Sequence, residues 1–234
     1  MKWRLLLLVV GGLVLVLAGC GDDEPDRSVT TGSEVFSMTF DRPGAWEEAA
    51  YPVDSDTPQS VLAIVDGRYQ IDHHAAGQNS FAWGASSRET PENVIIEVEV
   101  QQLTGGADSL YGIVCRAARD PQGELSGYAL LVSGDGHYGI AMLQRDVYAE
   151  APYLTFLLEW HQSDAIKQGD AANTLRAVCV DDYFALYANG TFLGDVTDDT
   201  YRRPGQMGLL AGGDEDSRSS VVFDNVTAYN GAFD

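Results

Sequence analysis

The chain has 234 residues, 45% of them hydrophobic and 10% aromatic, which is enough for a sizeable core and excludes wholesale disorder. It carries 14 basic and 35 acidic residues, a formal charge of −21. A surface this acidic repels phosphate backbones and anionic headgroups, so neither nucleic acid nor an anionic lipid surface is an expected electrostatic partner.

Residues 1–19 read as a leader. Lys2 and Arg4 form its positive start, Leu5 to Leu17 is an unbroken run of apolar residues and glycine, and Leu17-Ala18-Gly19-Cys20 follows. The run is short of the roughly 20 residues that a membrane span needs. A plain secretory signal gives no reason for a cysteine directly after two small residues. The pattern resembles a bacterial lipoprotein signal. That resemblance implies cleavage before Cys20, a diacylglycerol on its thiol, and an extracytoplasmic domain held to a membrane by lipid alone. Residues 20–33 are acidic, contain Pro25, Ser28, Thr30 and Thr31, and have almost nothing apolar to bury, so they read as a flexible tether.

From Glu34 onward the period is two. Val94, Ile96, Val98 and Val100 alternate with Glu97, Glu99 and Gln101, and Phe184, Leu186 and Ala188 alternate with Tyr183 and Tyr187. These are half-buried antiparallel strands. Further strand-like runs cover 35–40, 61–65, 68–72, 80–84, 110–117, 127–133, 137–143, 154–161, 173–181, 191–196, 206–211 and 221–226. Turn signals separate them, among them Asp66-Gly67, Gly134-Asp135-Gly136, Asn189-Gly190 and Gly212-Gly213. Ala45–Ala50 and Ser163–Lys167 are each long enough for one helical turn. Many short strands, with neither an internal repeat nor a Pro/Ser-rich linker, predict one all-β, two-sheet antiparallel sandwich over residues 34–234.

The order of small motifs over residues 110–226 resembles the concanavalin A-like lectin/glucanase superfamily, and within it the laminin-G-like and 3-keto-disaccharide-hydrolase-like jelly rolls. The residues are Tyr111-Gly112-Ile113-Val114-Cys115-Arg116, Gly127-Tyr128-Ala129-Leu130-Leu131-Val132, Asp135-Gly136-His137-Tyr138, Asn173-Thr174-Leu175-Arg176, Leu186-Tyr187-Ala188-Asn189-Gly190, Gly208-Leu209-Leu210-Ala211 and Val222-Phe223-Asp224-Asn225-Val226. Phe40-Asp41 with Trp46 fits the usual first strand. The resemblance implies a jelly roll with a concave face where relatives bind sugars. It carries over no activity, because the Glu-x-Asp-x-x-Glu pattern of its glucanases is absent. Glu97-Val98-Glu99 comes nearest and lacks the third acid.

Sugar rings present C–H faces that stack on aromatic side chains, with polar groups gripping the hydroxyls. Trp83, Tyr128, Tyr138 and Trp160, with Arg116, are the expected ligand-binding residues. Calcium prefers carboxylate and carbonyl oxygens, and Asp41, Asp66 and Asp224 are candidates for a structural calcium ion. Asp195, Asp198 and Asp199 form one acidic loop cluster and Asp214, Glu215 and Asp216 another, but no Asp-x-Asp-x-Asp-Gly loop exists. His73 and His74 are adjacent, so on a strand they face opposite ways. No Cys/His spacing suggests zinc, and no Gly-x-Ser-x-Gly nucleophile turn occurs.

With Cys20 lipidated, Cys115 and Cys179 remain. Export permits oxidation, and both lie on apolar strand faces, so a disulfide is expected, with two buried free thiols as the alternative. The leading functional reading is a surface-anchored, non-catalytic module binding a carbohydrate or another ligand. The alternatives are a glycoside hydrolase or 3-keto-sugar cleaving enzyme, and a structural envelope or protein-interaction domain.

Overall fold

A computed structural model describes residues 25–52, 59–75, 80–119, 125–144, 153–214 and 216–234. The leader, Cys20 and Glu215 lie outside them. Among the described residues there are fifteen strands and no helix. They are β1 (Val29–Met38), β2 (Ala49–Tyr51), β3 (Ser60–Val65), β4 (Arg68–His74), β5 (Ser80–Thr90), β6 (Val94–Thr104), β7 (Leu110–Arg119), β8 (Leu125–Ser133), β9 (His137–Gln144), β10 (Tyr153–Gln162), β11 (Asn173–Val180), β12 (Tyr183–Ala188), β13 (Thr191–Thr197), β14 (Gly205–Gly213) and β15 (Arg218–Phe233).

They form two antiparallel sheets. One has nine strands in the order β13-β12-β11-β6-β15-β4-β3-β2, with β1 also on β15; the other has six, β10-β9-β8-β7-β14-β5. This is the expected jelly-roll sandwich. The alternation read in β6 is real. Val94, Ile96, Val98 and Val100 are at most 2% exposed and face the core, while Glu97, Glu99 and Gln101 are on the outer face. In the six-stranded sheet both faces are apolar along most of its strands, whereas the nine-stranded sheet has a smaller outer apolar patch of Ile95, Val178, Val180, Tyr183 and Ala185. Tyr111, Ile113 and Cys115 join the core between the sheets, whereas Leu110, Val114 and Ala117 join Leu131, Leu143 and Leu210 in a second apolar layer on the outer face. Continuous apolar runs are the sequence form of such doubly buried strands.

Two local features close the sandwich. Asn189 and Gly190 both have positive φ (53° and 83°), so β12 and β13 are joined by the tight turn that the Asn-Gly pair predicts. Near the N-terminus, Trp46 donates from Nε1 to the Gly84 carbonyl at 3.0 Å, and Phe40 stacks on Tyr69 at 5.4 Å. Gly84 has to be glycine there, since a Cβ would sit 1.8 Å from the Tyr69 hydroxyl.

The structure departs from the sequence reading in three places. The stretch read as tether is strand from Val29 on. β1 pairs with β15, Val29 opposite Phe233 and Met38 opposite Val226, and Arg27 is held between the rings of Tyr183 and Phe233 with its guanidinium 2.6 Å from Asp182. A partner some 200 residues away along the chain leaves no local signal. Ala49–Tyr51 is a short edge strand rather than a helical turn. Residues 163–167 form turns clasped by Asn173, whose Oδ1 accepts from the Lys167 N–H at 2.9 Å and whose Nδ2 donates to the Lys167 carbonyl at 2.8 Å.

Cys115 on β7 and Cys179 on β11 are disulfide-bonded, with Cα atoms 6.8 Å apart and no exposure of either residue. The bond ties one sheet to the other across the core and closes a loop spanning 64 positions. For a loop of that length, chain entropy predicts that the double variant Cys115→Ala/Cys179→Ala loses about 4 kcal/mol of stability. Urea unfolding of the two proteins measures this, and an unchanged midpoint would contradict it.

Candidate functional site

The antiparallel register gathers five strand ends at one end of the six-stranded sheet. Leu110 at the start of β7 is opposite Ser133 at the end of β8 and Gly212 near the end of β14. Tyr138 on β9 is opposite Val132 on β8 and His161 on β10. The side chains at these ends line a cleft of about 250 Å³: Asp108, Leu110, Ser133, Asp135, His137, Trp160 and Asp214.

The tight turn Gly134-Asp135-Gly136 aims its aspartate into the opening. The Ser133 hydroxyl donates to Asp135 Oδ1, His137 Nδ1 is 2.8 Å from the same oxygen, and the backbone N–H of His137 donates back to the Ser133 hydroxyl at 3.0 Å. Partial burial works against the Asp135 charge, but the hydrogen bonds from Ser133 and His137 outweigh it and hold the carboxyl below the usual carboxylate range. Asp135 is therefore a ready acceptor for hydroxyl groups and poorly suited to deliver a proton as a general acid near neutrality. Trp160 is half-buried. Its ring packs against Phe156 at 5.3 Å, which fixes its plane beside the carboxylates.

Of the five residues expected to bind ligand, Trp160 alone lines this cleft. Trp83 is in β5, at the opposite edge of the same sheet. It is 7% exposed and covered by the Arg119 guanidinium 4.8 Å from its ring. Tyr138 is on the core side of β9, 8% exposed, with its ring 5.9 Å from that of His161. Tyr128 and Arg116 are fully buried at the other end, and their burial keeps them from a ligand. The Tyr128 hydroxyl donates to Asp198 and its ring is 3.9 Å from Phe184. Arg116 donates to the carbonyls of Glu92 (3.0 Å) and Tyr201 (3.2 Å) and stacks on Phe184. A β-bulge between Cys115 and Ala118, with Arg116 at φ 53°, sets its direction. Both residues latch loops onto the core.

The structure gives no support to the candidate calcium site. Among the described residues no three His, Cys, Asp or Glu side chains are placed to hold a metal. Asp66 lies in the β3–β4 hairpin turn, and Asp41 accepts from the Thr39 hydroxyl at 2.7 Å. Asp224 is opposite Glu99 on the outer face of the nine-stranded sheet. Burial, then the charges of Glu99 and Asp41, push its carboxyl pKa up. Glu97 is ion-paired with Arg176 at 2.7 Å, so the Glu97/Glu99 pair is not a free acid pair. The acidic cluster at the end of β13 is likewise engaged: Asp195 accepts from Tyr183 at 2.6 Å, and Asp198 from Tyr128 and from the Thr200 N–H at 2.9 Å.

Sequence reasoning missed most of the cleft. Asp135 and His137 stood out only as part of a turn and of a fold motif, and Asp214 as part of an acidic loop. Asp108 carried no signal at all.

No protein-family model matches the chain, and no curated protein matches it. Solved structures do. A carbohydrate-binding module of Bacillus subtilis aligns over 82% of this chain and 97% of its own, with 17% identity and a TM-score of 0.55. A Bacillus subtilis protein of unknown function with a galectin-like fold aligns over 88% and 99%, at 11% identity and a TM-score of 0.63. A β-glucanase of Bacillus licheniformis aligns over 86% and 99%, at 11% identity and 0.54. At these identities the likeness shows the fold and nothing further.

The two adjacent histidines do face opposite ways. His73 turns inward, 5% exposed, with Nδ1 2.8 Å from the Ser60 hydroxyl and Nε2 2.9 Å from the Ser80 hydroxyl. Burial, helped by the neighbouring His74, lowers its pKa to about 4. The folded protein thus holds His73 neutral where the unfolded chain would protonate it. Its contribution is fully present above the unfolded value of about 6.5 and is lost as pH falls towards 4. Stability should decline by about 3 kcal/mol over that window from this group. A His73 ring signal titrating near 6.5 by NMR would contradict it.

Proposed function

We propose that the protein is a lipid-anchored, non-catalytic carbohydrate-binding module, and that the cleft at the end of the six-stranded sheet is its binding place. The observation that carries this reading is the meeting there of the Trp160 ring with the Asp108, Asp135 and Asp214 carboxylates and His137. An aromatic face beside hydroxyl acceptors is the arrangement that sugar rings require. Three carboxylates in the lining favour a neutral, hydroxyl-rich sugar over an acidic one. The fold shared with a carbohydrate-binding module and with a β-glucanase supports the same reading.

A hydrolase needs a second carboxyl that keeps its proton near neutrality, opposite the first. The hydrogen bonds on Asp135 take it in the other direction. Binding without turnover is therefore favoured.

Two experiments test the proposal. A glycan array probed with the chain from residue 21 should give neutral glycan hits, and calorimetry on a hit should show Trp160→Ala weakening binding by about tenfold or more, as expected for loss of an aromatic stacking partner. An array without hits, or a hit that Trp160→Ala binds unchanged, would refute the assignment, and release of reducing ends from the glycan would replace it with the enzyme. The anchor is tested separately. Mass spectrometry of the membrane fraction should find a chain that begins at a diacylglyceryl Cys20, and an unmodified Cys20 would remove the anchor while leaving the cleft untouched.

A further inference from the structure

A second cleft, of about 240 Å³, opens at the same end of the sandwich on the nine-stranded sheet. The two clefts share their loops: Thr104 belongs to the second and Asp108 to the first, and Arg218 to the second and Asp214 to the first. The second cleft forms where β3, β4, β15 and β6 reach the edge. Alternation puts His74 opposite Arg218 and Asp72 opposite Ser220 on the outer face, with Gln59 and Thr104 at either side. His73 and Ser219, 5% and 4% exposed, form the buried part of the lining.

The polar groups of this lining are unevenly satisfied. Both oxygens of Asp72 accept from Gln70 Nε2, at 2.9 and 3.0 Å, and the same amide reaches the Ser220 hydroxyl at 3.2 Å. The Ser219 hydroxyl is buried without a partner among the described residues, which a folded chain rarely tolerates. Arg218 has an exposed guanidinium with no carboxylate bound to it among the described residues. Arg27, Arg176 and Arg202 are each ion-paired. In a chain with 35 acidic residues against 14 basic ones, an uncommitted arginine inside a polar cleft stands out.

The charges narrow the ligand. Beside the imidazoles of His73 and His74, the one permanent cation of the lining, Arg218, is countered by one carboxylate, Asp72, so the lining has little to offer a phosphate dianion. It suits a molecule with a single negative charge at one end and hydroxyls at the other. The volume lies below the roughly 300–1,000 Å³ that drug-sized ligands occupy, so it has room for about one ring. We propose that this cleft binds a carboxylate-bearing sugar, a uronate residue, with Arg218 taking the carboxylate and Asp72, Gln59 and Thr104 taking ring hydroxyls. A planar guanidinium matches a carboxylate through two parallel hydrogen bonds. The general repulsion between an acidic protein and an acidic sugar falls off within about 8 Å at physiological salt. The proposal is independent of what the first cleft binds.

The test is calorimetry on the full chain in non-ionic detergent at physiological salt. The probes are oligogalacturonate, oligomannuronate and oligoglucuronate, each beside its neutral methyl ester, with glucose 6-phosphate as the dianion. At least one acid should bind, its methyl ester about tenfold or more weaker, and Arg218→Gln should weaken the acid about tenfold or more. Asp72→Asn should weaken the acid and the ester alike. Arg42→Gln, an exposed arginine elsewhere, should leave the affinity unchanged. The proposal is overturned by absence of binding for all three acids at about 10 mM, an affinity near the weak limit of measurable recognition. It is equally overturned if ester and acid bind alike, if glucose 6-phosphate binds as tightly as the best acid, or if Arg218→Gln leaves the affinity for the acid unchanged. A loss of uronate binding in Trp160→Ala would put the ligand in the first cleft and also overturn it.

Discussion

The last strand is the piece on which the rest is assembled. β15 runs for 16 residues and pairs with β6 along one edge. Its other edge is shared, with β4 along Arg218–Phe223 and β1 along Val226–Phe233. The exchange takes place at Asp224-Asn225, where the register with β6 shifts and Asn225 has a φ of 52°. Backbone donors and acceptors buried away from water have to be paired, and this strand pairs those of both chain ends at once. Its first residues supply Arg218 and Ser220 to one cleft, and the loop that leads into it supplies Asp214 to the other. Both clefts thus depend on the register of a strand that also fills the core with Val221, Phe223, Val226 and Ala228.

The disulfide makes a different contribution. β7 and β11 belong to different sheets and do not pair, so no backbone ladder fixes these two strands over one another. Cys115–Cys179 does so at the end away from the clefts, next to the layer where Phe184 stacks with Tyr128 and Arg116. That end is closed by aromatic packing and a buried guanidinium. The opposite end is left to polar loops, and both clefts open there.

How far the sequence reached depended on whether neighbouring residues differ in polarity. In β6, charged residues alternate with valine and isoleucine, so parity identified the buried face, and Asn189-Gly190 identified a turn with no help from elsewhere. In β7 and β8 the stretches Leu110–Cys115 and Gly127–Val132 are apolar or glycine on both faces, and parity could not say that Tyr128 points into the core while Leu131 points away from it. At Arg116 the bulge inverts the alternation, so even a correct strand assignment gives the wrong face. The first half of β1, residues 29–33, was hidden for another reason: its composition is that of a tether, and only pairing with the far end of the chain makes it a strand. The first cleft was hidden because Asp108, Asp135 and Asp214 come from three separate loops, and no spacing along the chain relates them. Trp160 was the exception, because a tryptophan in a strand facing outward invites a question wherever it occurs.

The clasp between the two chain ends also determines how the protein would carry mechanical load. The chain enters β1 beside the β11–β12 turn, where Arg27 meets Asp182, and the clefts are at the far end of the strands. Tension applied at residue 25 and resisted by something bound in a cleft therefore runs parallel to β1 and β15. Their hydrogen bonds lie across that direction, as in any antiparallel pair. Such a pull shears the ladder from Val29 to Met38 and stresses its bonds together, whereas a pull across the sheet would open them one at a time. A domain that has to keep hold of a large immobile ligand while tethered through its N-terminus gains from this arrangement, since its first strand resists most strongly along the axis in which it would be pulled.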